Sequence, residues 1–117
     1  MRDPRERLRD ILDAIAKIEH YAARGREVFE QDELIQTWIV YHIQLIGEAA
    51  ARLGKSFHDS NPEIPWAQIV AMRNVLVHEY FGVDLHEVWK TVEKDLPSLK
   101  QQIEALVKRL EEQGHGG

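Results

Sequence analysis

Within the stretch 72–82 of this chain, four residues carry groups suited to chemistry: Arg73, Asn74, His78 and Tyr80. Arg73 supplies a permanent cation whose planar fork donates to two phosphate oxygens at once. His78, five residues on, is the kind of side chain that exchanges protons near neutral pH. That pair suits cleavage of RNA without a metal. The ribose 2′-OH attacks the adjacent phosphorus, a base takes its proton, and a cation offsets the charge growing on the phosphoryl oxygens. With a reference pKa of about 6.5, His78 can serve as the base or as the acid that protonates the leaving oxygen. Arg73 is the natural clamp. Asn74 could orient either the histidine or the phosphate, and Glu48 could hold Arg73 in place.

The elements that must position these groups are helices. Asp3-Pro4 reads as an N-cap with proline at the first helical position, and Leu8, Ile11, Leu12, Ile15 and Ile18 recur at helical spacing. This predicts a first helix of about twenty residues, ending near Gly25. From about Gln31 to Leu53 a second helix is apolar on more than one side, through Leu34, Ile35, Trp38, Ile39, Ile43, Leu45, Ile46, Ala49 and Ala50. Such a helix wants burial on several faces, which in a small domain hints at dimerisation through it. Gly54 is placed to end it, and Lys55 to Pro65 reads as a loop or irregular turn. Pro65-Trp66 then opens a third helix running to about Phe81 and closed by Gly82. Asp84 can cap a fourth from Leu85 to about Lys94, and Pro97 can start or bend a fifth that carries Leu99, Ile103, Leu106 and Leu110. With no alternating strand pattern, the expected fold is all-α, an antiparallel bundle of four to five helices whose last element is kinked or split. Residues 1–113 form one domain in this reading, and 114–117 a disordered tail.

On the third helix, Trp66, Ile69, Met72, Leu76 and Val77 make one apolar stripe, and Arg73 falls inside it. A guanidinium among core positions must find partners. Asn74 and His78 share a neighbouring face, whereas Arg73 and His78 stand about 140° apart on an ideal helix. They converge only if the arginine wraps round, if the helix loosens towards Gly82, or if the cleft forms across a dimer. On geometry alone, a structural Arg73–Glu48 ion pair with His78 capping the helix end is the stronger reading, because ion-pair networks produce the same constellation.

Composition narrows the classes. The 117 residues are 44% hydrophobic, enough for one core, and 30% charged with no long apolar run, so no membrane-spanning helix is expected. The charged N-terminus is not followed by the apolar stretch of a secretion signal. There is no cysteine, which excludes disulfides, thiolate catalysis and cysteine-ligated metals, and makes the cytoplasm the default compartment. Fifteen Lys and Arg against 20 Asp and Glu give a charge of -5, the wrong sign for bulk attraction to nucleic acid. An RNA substrate would need a local cationic site.

Other candidate sites are weaker. Gly54-Lys55-Ser56 is like the end of a phosphate-binding loop, but Ala49 stands where that motif needs glycine and a helix is predicted where it needs a strand. His78-Glu79 begins like a zinc-protease motif, with Gly82 where the second histidine belongs. No histidine has a second one at the spacing that shares an ion, so neither a metal nor another cofactor is expected. His20, His42, His58 and His86 read as surface or hydrogen-bonded structural residues. Trp38, Trp66 and Trp89 read as core or interface anchors.

Arg73, His78 and Tyr80 together match the RX4HXY signature, and the chain resembles HepT-type toxins of the wider HEPN superfamily of helical ribonucleases. The likeness extends to Ile46-Gly47-Glu48-Ala49, Pro62-Glu63-Ile64-Pro65-Trp66, Met72-Arg73-Asn74, Tyr80-Phe81-Gly82-Val83-Asp84, and Val88-Trp89 through Asp95-Leu96-Pro97. It covers nearly the whole chain. The resemblance implies a homodimer whose two Arg-His motifs line a shared cleft, with RNA, as tRNA or mRNA, for substrate. It also implies a type VII-like toxin–antitoxin pair, in which a minimal nucleotidyltransferase silences the toxin by adenylylating Tyr80. The competing expectations are a non-catalytic helical subunit of that nucleotidyltransferase and a plain dimeric scaffold.

Overall fold

The computed structural model describes residues 3–78 and 84–116, and the side chains of 3–73 and 84–114 within them. Its helices are α1 (Pro4–Ala22), α2 (Arg26–Gln31), α3 (Glu33–Arg52), α4 (Gly54–Ser60), α5 (Trp66–His78), α6 (Leu85–Lys90) and α7 (Leu96–Gly116). No strand occurs among the described residues, so the fold is the expected all-α one. Three aspartates cap helices, Asp3 and Asp84 as the sequence predicts and Asp32 in addition. The Asp3 carboxylate accepts from the Arg5 backbone N–H at 2.9 Å, and Asp32 from those of Leu34 and Ile35 at 2.9 and 3.2 Å. Asp84 accepts from His86 and Glu87 at 3.0 and 3.3 Å.

Helix α3 is the central element. It packs on α1 along one side and on α5 along another, while α7 closes against α1. Leu8, Ile11, Ile15 and Ile18 of α1, Ile39, Ile43, Ile46 and Ala50 of α3, and Leu96, Ile103 and Leu106 of α7 are fully buried between them. Most of the apolar breadth of α3 is thus absorbed within one chain. What remains outside is Leu34, Trp38, Tyr41 and Leu45, exposed by 82%, 38%, 53% and 39%. At 100° per residue these four lie within about 40° of one line along the helix. Glu48 and Arg52 continue the same line over the last turns of α3.

One sequence expectation changes. The stretch after Gly54, expected as a loop, begins with the short helix α4, whose Lys55–Asp59 pair at 2.6 Å spans one turn. Gly54 itself does break α3, with φ +85, a conformation that side chains disfavour. Of the two alternatives for the last element, kinked or split, the structure takes the first: α6 runs on into α7 through a π-helical turn at Thr91–Asp95 in which the Leu96 N–H bonds to the Thr91 carbonyl. Pro97 follows immediately and has no N–H to give, so the wider turn absorbs the missing bond. Helix α7 runs to Gly116. No helix among the described residues is long and apolar enough to cross a membrane.

Tryptophans and histidines fix the ends of α3 and α5. Trp66 opens α5, donates from its indole N–H to the Asn61 carbonyl at 2.9 Å, and stacks on His58 at 4.8 Å between ring centres. His58 Nε2 lies 2.7 Å from the Ala50 carbonyl, and a carbonyl only accepts, so that nitrogen carries the proton. Buried His42 bonds the Trp38 carbonyl through Nδ1 at 2.7 Å in the same way. Trp38 differs from the other two tryptophans: it donates to the Lys17 carbonyl at 3.0 Å but leaves much of its ring in solvent.

Candidate active site

The site is built where α5 crosses α3. A glycine in the middle of a helix costs about 1 kcal/mol against alanine, so its presence calls for a reason. Gly47 has one. A Cβ placed on it would lie 2.7 Å from the Arg73 Cβ, 2.8 Å from the Arg73 nitrogen and 3.1 Å from the Ile69 carbonyl oxygen. The glycine therefore lets the α5 backbone sit directly on α3 at the arginine. With the backbones this close, Arg73 reaches the next residue of α3: its Nη1 donates to Glu48 Oε2 at 3.2 Å.

Glu48 serves a second arginine. Its other oxygen, Oε1, accepts from Arg52 Nε at 3.1 Å, one helical turn further on. The Arg52 guanidinium, and after it that of Arg73, holds the Glu48 carboxyl below the usual carboxylate range. Glu48 is accordingly ionised through the neutral range. The side chains of Arg73, Glu48 and Arg52 are exposed by 36%, 42% and 57%, so the cluster is a surface feature at the foot of the apolar stripe. Arg73 is neither the buried core cation that the helical wheel implies nor a free surface charge.

Asn74 and His78 occupy the last turns of α5, whose backbone stays α-helical as far as His78. A loosening of the helix before His78 is thereby removed as the way to bring it round to Arg73. Five α-helical residues separate the two positions by about 140° and about 7.5 Å of rise. The side chains of Asn74 and His78, and Tyr80 entirely, lie outside the described residues. Of the sequence candidates, the structure joins Arg73 to Glu48 and adds Arg52. Arg52 was legible only as an i+4 partner of Glu48, since nothing in the chain order says that α5 brings Arg73 to the same carboxylate. Among the described residues no group of His, Asp and Glu is arranged to hold a metal ion.

A model of the family described as "Ribonuclease HepT-like" matches residues 11–106 of the chain, from the first turns of α1 into α7. The chain belongs to the HepT-like ribonuclease family. Similar proteins include a "probable ribonuclease HepT" of Thermococcus cleftensis, 40% identical over 92% of this chain and 98% of that one. A "putative RNase" of Caldanaerobacter subterraneus subsp. tengcongensis is 34% identical over 93% of this chain and 98% of its own. No solved structure matches. The family match spans Gly47, Glu48, Arg52, Arg73 and His78 together, so the helix crossing described above lies wholly inside it.

Proposed function

We propose that this protein is a metal-independent endoribonuclease, acting on tRNA or mRNA as the toxin of a type VII-like toxin–antitoxin pair in the cytoplasm. The observation that carries the reading is the Arg73–Glu48 bond at 3.2 Å, in a HepT-like chain whose α5 also bears His78. A carboxylate on one guanidinium nitrogen fixes the fork, which has five N–H donors in all, and leaves it suited to a phosphate. Arg73 clamps the scissile phosphate. His78 takes the proton of the 2′-OH or returns one to the departing 5′ oxygen, and Asn74 orients the histidine or the phosphate. The 2′ oxygen bonds to phosphorus as the bond to the 5′ oxygen breaks. Tyr80 is the adenylylation site for a cognate minimal nucleotidyltransferase: its hydroxyl gains an adenylyl group from ATP with release of pyrophosphate. The added phosphodiester charge and nucleoside beside His78 repel and block RNA.

The test is cleavage of a tRNA and mRNA panel by purified protein in excess EDTA. Cleavage is expected to persist undiminished with the chelator, and Tyr80→Phe is expected to cleave equally but to escape silencing by the partner enzyme with ATP. Activity that disappears on chelation refutes the metal-free mechanism, and Tyr80→Phe that is still silenced removes Tyr80 from the switch. A chain that never cuts RNA yet binds the nucleotidyltransferase would instead be its non-catalytic subunit.

The same reading makes the active unit a homodimer. Support comes from the stripe of Leu34, Trp38, Tyr41 and Leu45, an apolar face of α3 that runs straight into Glu48. A second copy on this stripe puts two Arg73–Glu48 clusters at one interface and lets His78 of one chain face Arg73 of the other. Leu34 is mostly exposed, so Leu34→Glu leaves the fold intact while placing a carboxylate in the interface. An unpaired buried charge costs several kcal/mol, and the variant is expected to run as a monomer in light scattering and to lose most cleavage. A fully active monomer would show that the cleft is built within one chain.

A further inference from the structure

The structure assigns Arg52 as a second phosphate-holding residue, and with it a path for the RNA strand from Arg73 across the end of α3 into the groove between α1 and α3. The inference rests on the ribonuclease reading and deepens it. One carboxylate holds two guanidinium groups, Arg73 on Oε2 and Arg52 on Oε1, at 3.2 and 3.1 Å. The trio carries one net positive charge in a chain whose total is -5. Because Glu48 engages only Nε of Arg52, four of the five donors of that guanidinium belong to its terminal nitrogens. The two cations are held as neighbours, as two successive phosphates of one strand require.

Charge separates two of the grooves near this crossing. The one between α1 and α3, of about 330 Å³, is lined by Arg7, Lys17 and Arg52 against Asp10, Asp13 and Glu48. Its lining is balanced, and Arg73 beside it makes the balance positive. The wider one between α5 and the α6–α7 rod, about 700 Å³, has Asp84, Glu87 and Asp95 against Lys94 alone. A polyanion is repelled by that lining, since strand affinity is set largely by the phosphates a protein neutralises. Among the described residues, the α1–α3 side is thus the better charged of these two for RNA in a protein of net charge -5.

The experiment measures kcat and KM of Arg52→Gln, Arg52→Lys and Lys94→Gln for a cleaved RNA over a series of salt concentrations. Thermal melts and light scattering confirm folding and assembly. Arg52→Gln is expected to raise KM about tenfold, the loss of one charge-assisted contact, with kcat within about twofold. Its slope of log KM against log salt should shrink by about 0.7, the share of one phosphate on a single strand. Arg52→Lys restores the slope but only part of the affinity, because lysine keeps the charge without the fork. Lys94→Gln changes neither quantity. An unchanged KM and slope in Arg52→Gln, a fall in kcat alone, a change of oligomeric state with the slope intact, or a slope carried by Lys94 would each overturn the assignment. Wild type that fails to cut any RNA overturns the ribonuclease reading itself, a result distinct from all of these.

Discussion

His78→Ala is expected to lower kcat for RNA cleavage by about 100- to 10,000-fold, the contribution of a positioned general acid or base. The fold should survive, because Trp66 and Ile69, both buried, anchor the other end of α5. The pH dependence separates proton transfer from a merely structural histidine. Wild-type cleavage should show a pH limb that reports proton transfer by the histidine, and the residual activity of His78→Ala should lose it. Glu48 does not supply that limb. Its carboxyl is held below the usual range by Arg52 and Arg73, so the stability it gives the crossing is present above the ordinary glutamate pKa of about 4.3. That contribution is lost only as the pH falls through the lower, folded value. A limb that persists unchanged in His78→Ala would exclude the histidine from the chemistry.

Gly47→Val is expected to damage both stability and activity. Alanine at this position already gains about 1 kcal/mol of helix propensity, but its Cβ would overlap the Arg73 backbone nitrogen at 2.8 Å and the Arg73 Cβ at 2.7 Å. Neither atom is the free end of a flexible chain. The two helices must therefore part, at an overpacking cost of about 1–3 kcal/mol. For alanine the two effects nearly offset, while valine adds two methyl groups and poor helix propensity to the same overlap. Denaturant midpoints should fall in the order wild type, Gly47→Ala, Gly47→Val. Cleavage should fall faster than stability, since a displacement of about 1 Å at a positioning residue costs about 100-fold in rate. Valine accepted with full activity would mean that the close crossing does not position Arg73.

Where the helices start was legible because caps are local chemistry. Asp3-Pro4 and Asp84 each satisfy backbone N–H groups two or three residues away, so chain order contains the whole interaction. Asp32 caps α3 by the same local chemistry, but the sequence reading passed over it. The kink of the last element was legible in Pro97, which lacks an N–H, while the π-helical form of that turn was not. The short helix α4 was missed because Ser, Asp and Asn favour turns as readily as helix ends, and only packing beside Trp66 selects the helix.

By itself the sequence determined the helical class, the helix that bears Arg73 and His78, and the chemistry those two residue types can perform. It determined too that Arg73, set in an apolar stripe, needs a partner. Tertiary structure alone decided how that need is met. Gly47 brings α5 onto α3, Glu48 binds both Arg73 and Arg52, and α1 with α5 cover most of α3 while leaving the line from Leu34 to Leu45 exposed. The physical reason is range. Caps and periodicity act within a few residues, whereas an ion pair between positions 25 apart exists only once two backbones have packed closely enough for a side chain to span them.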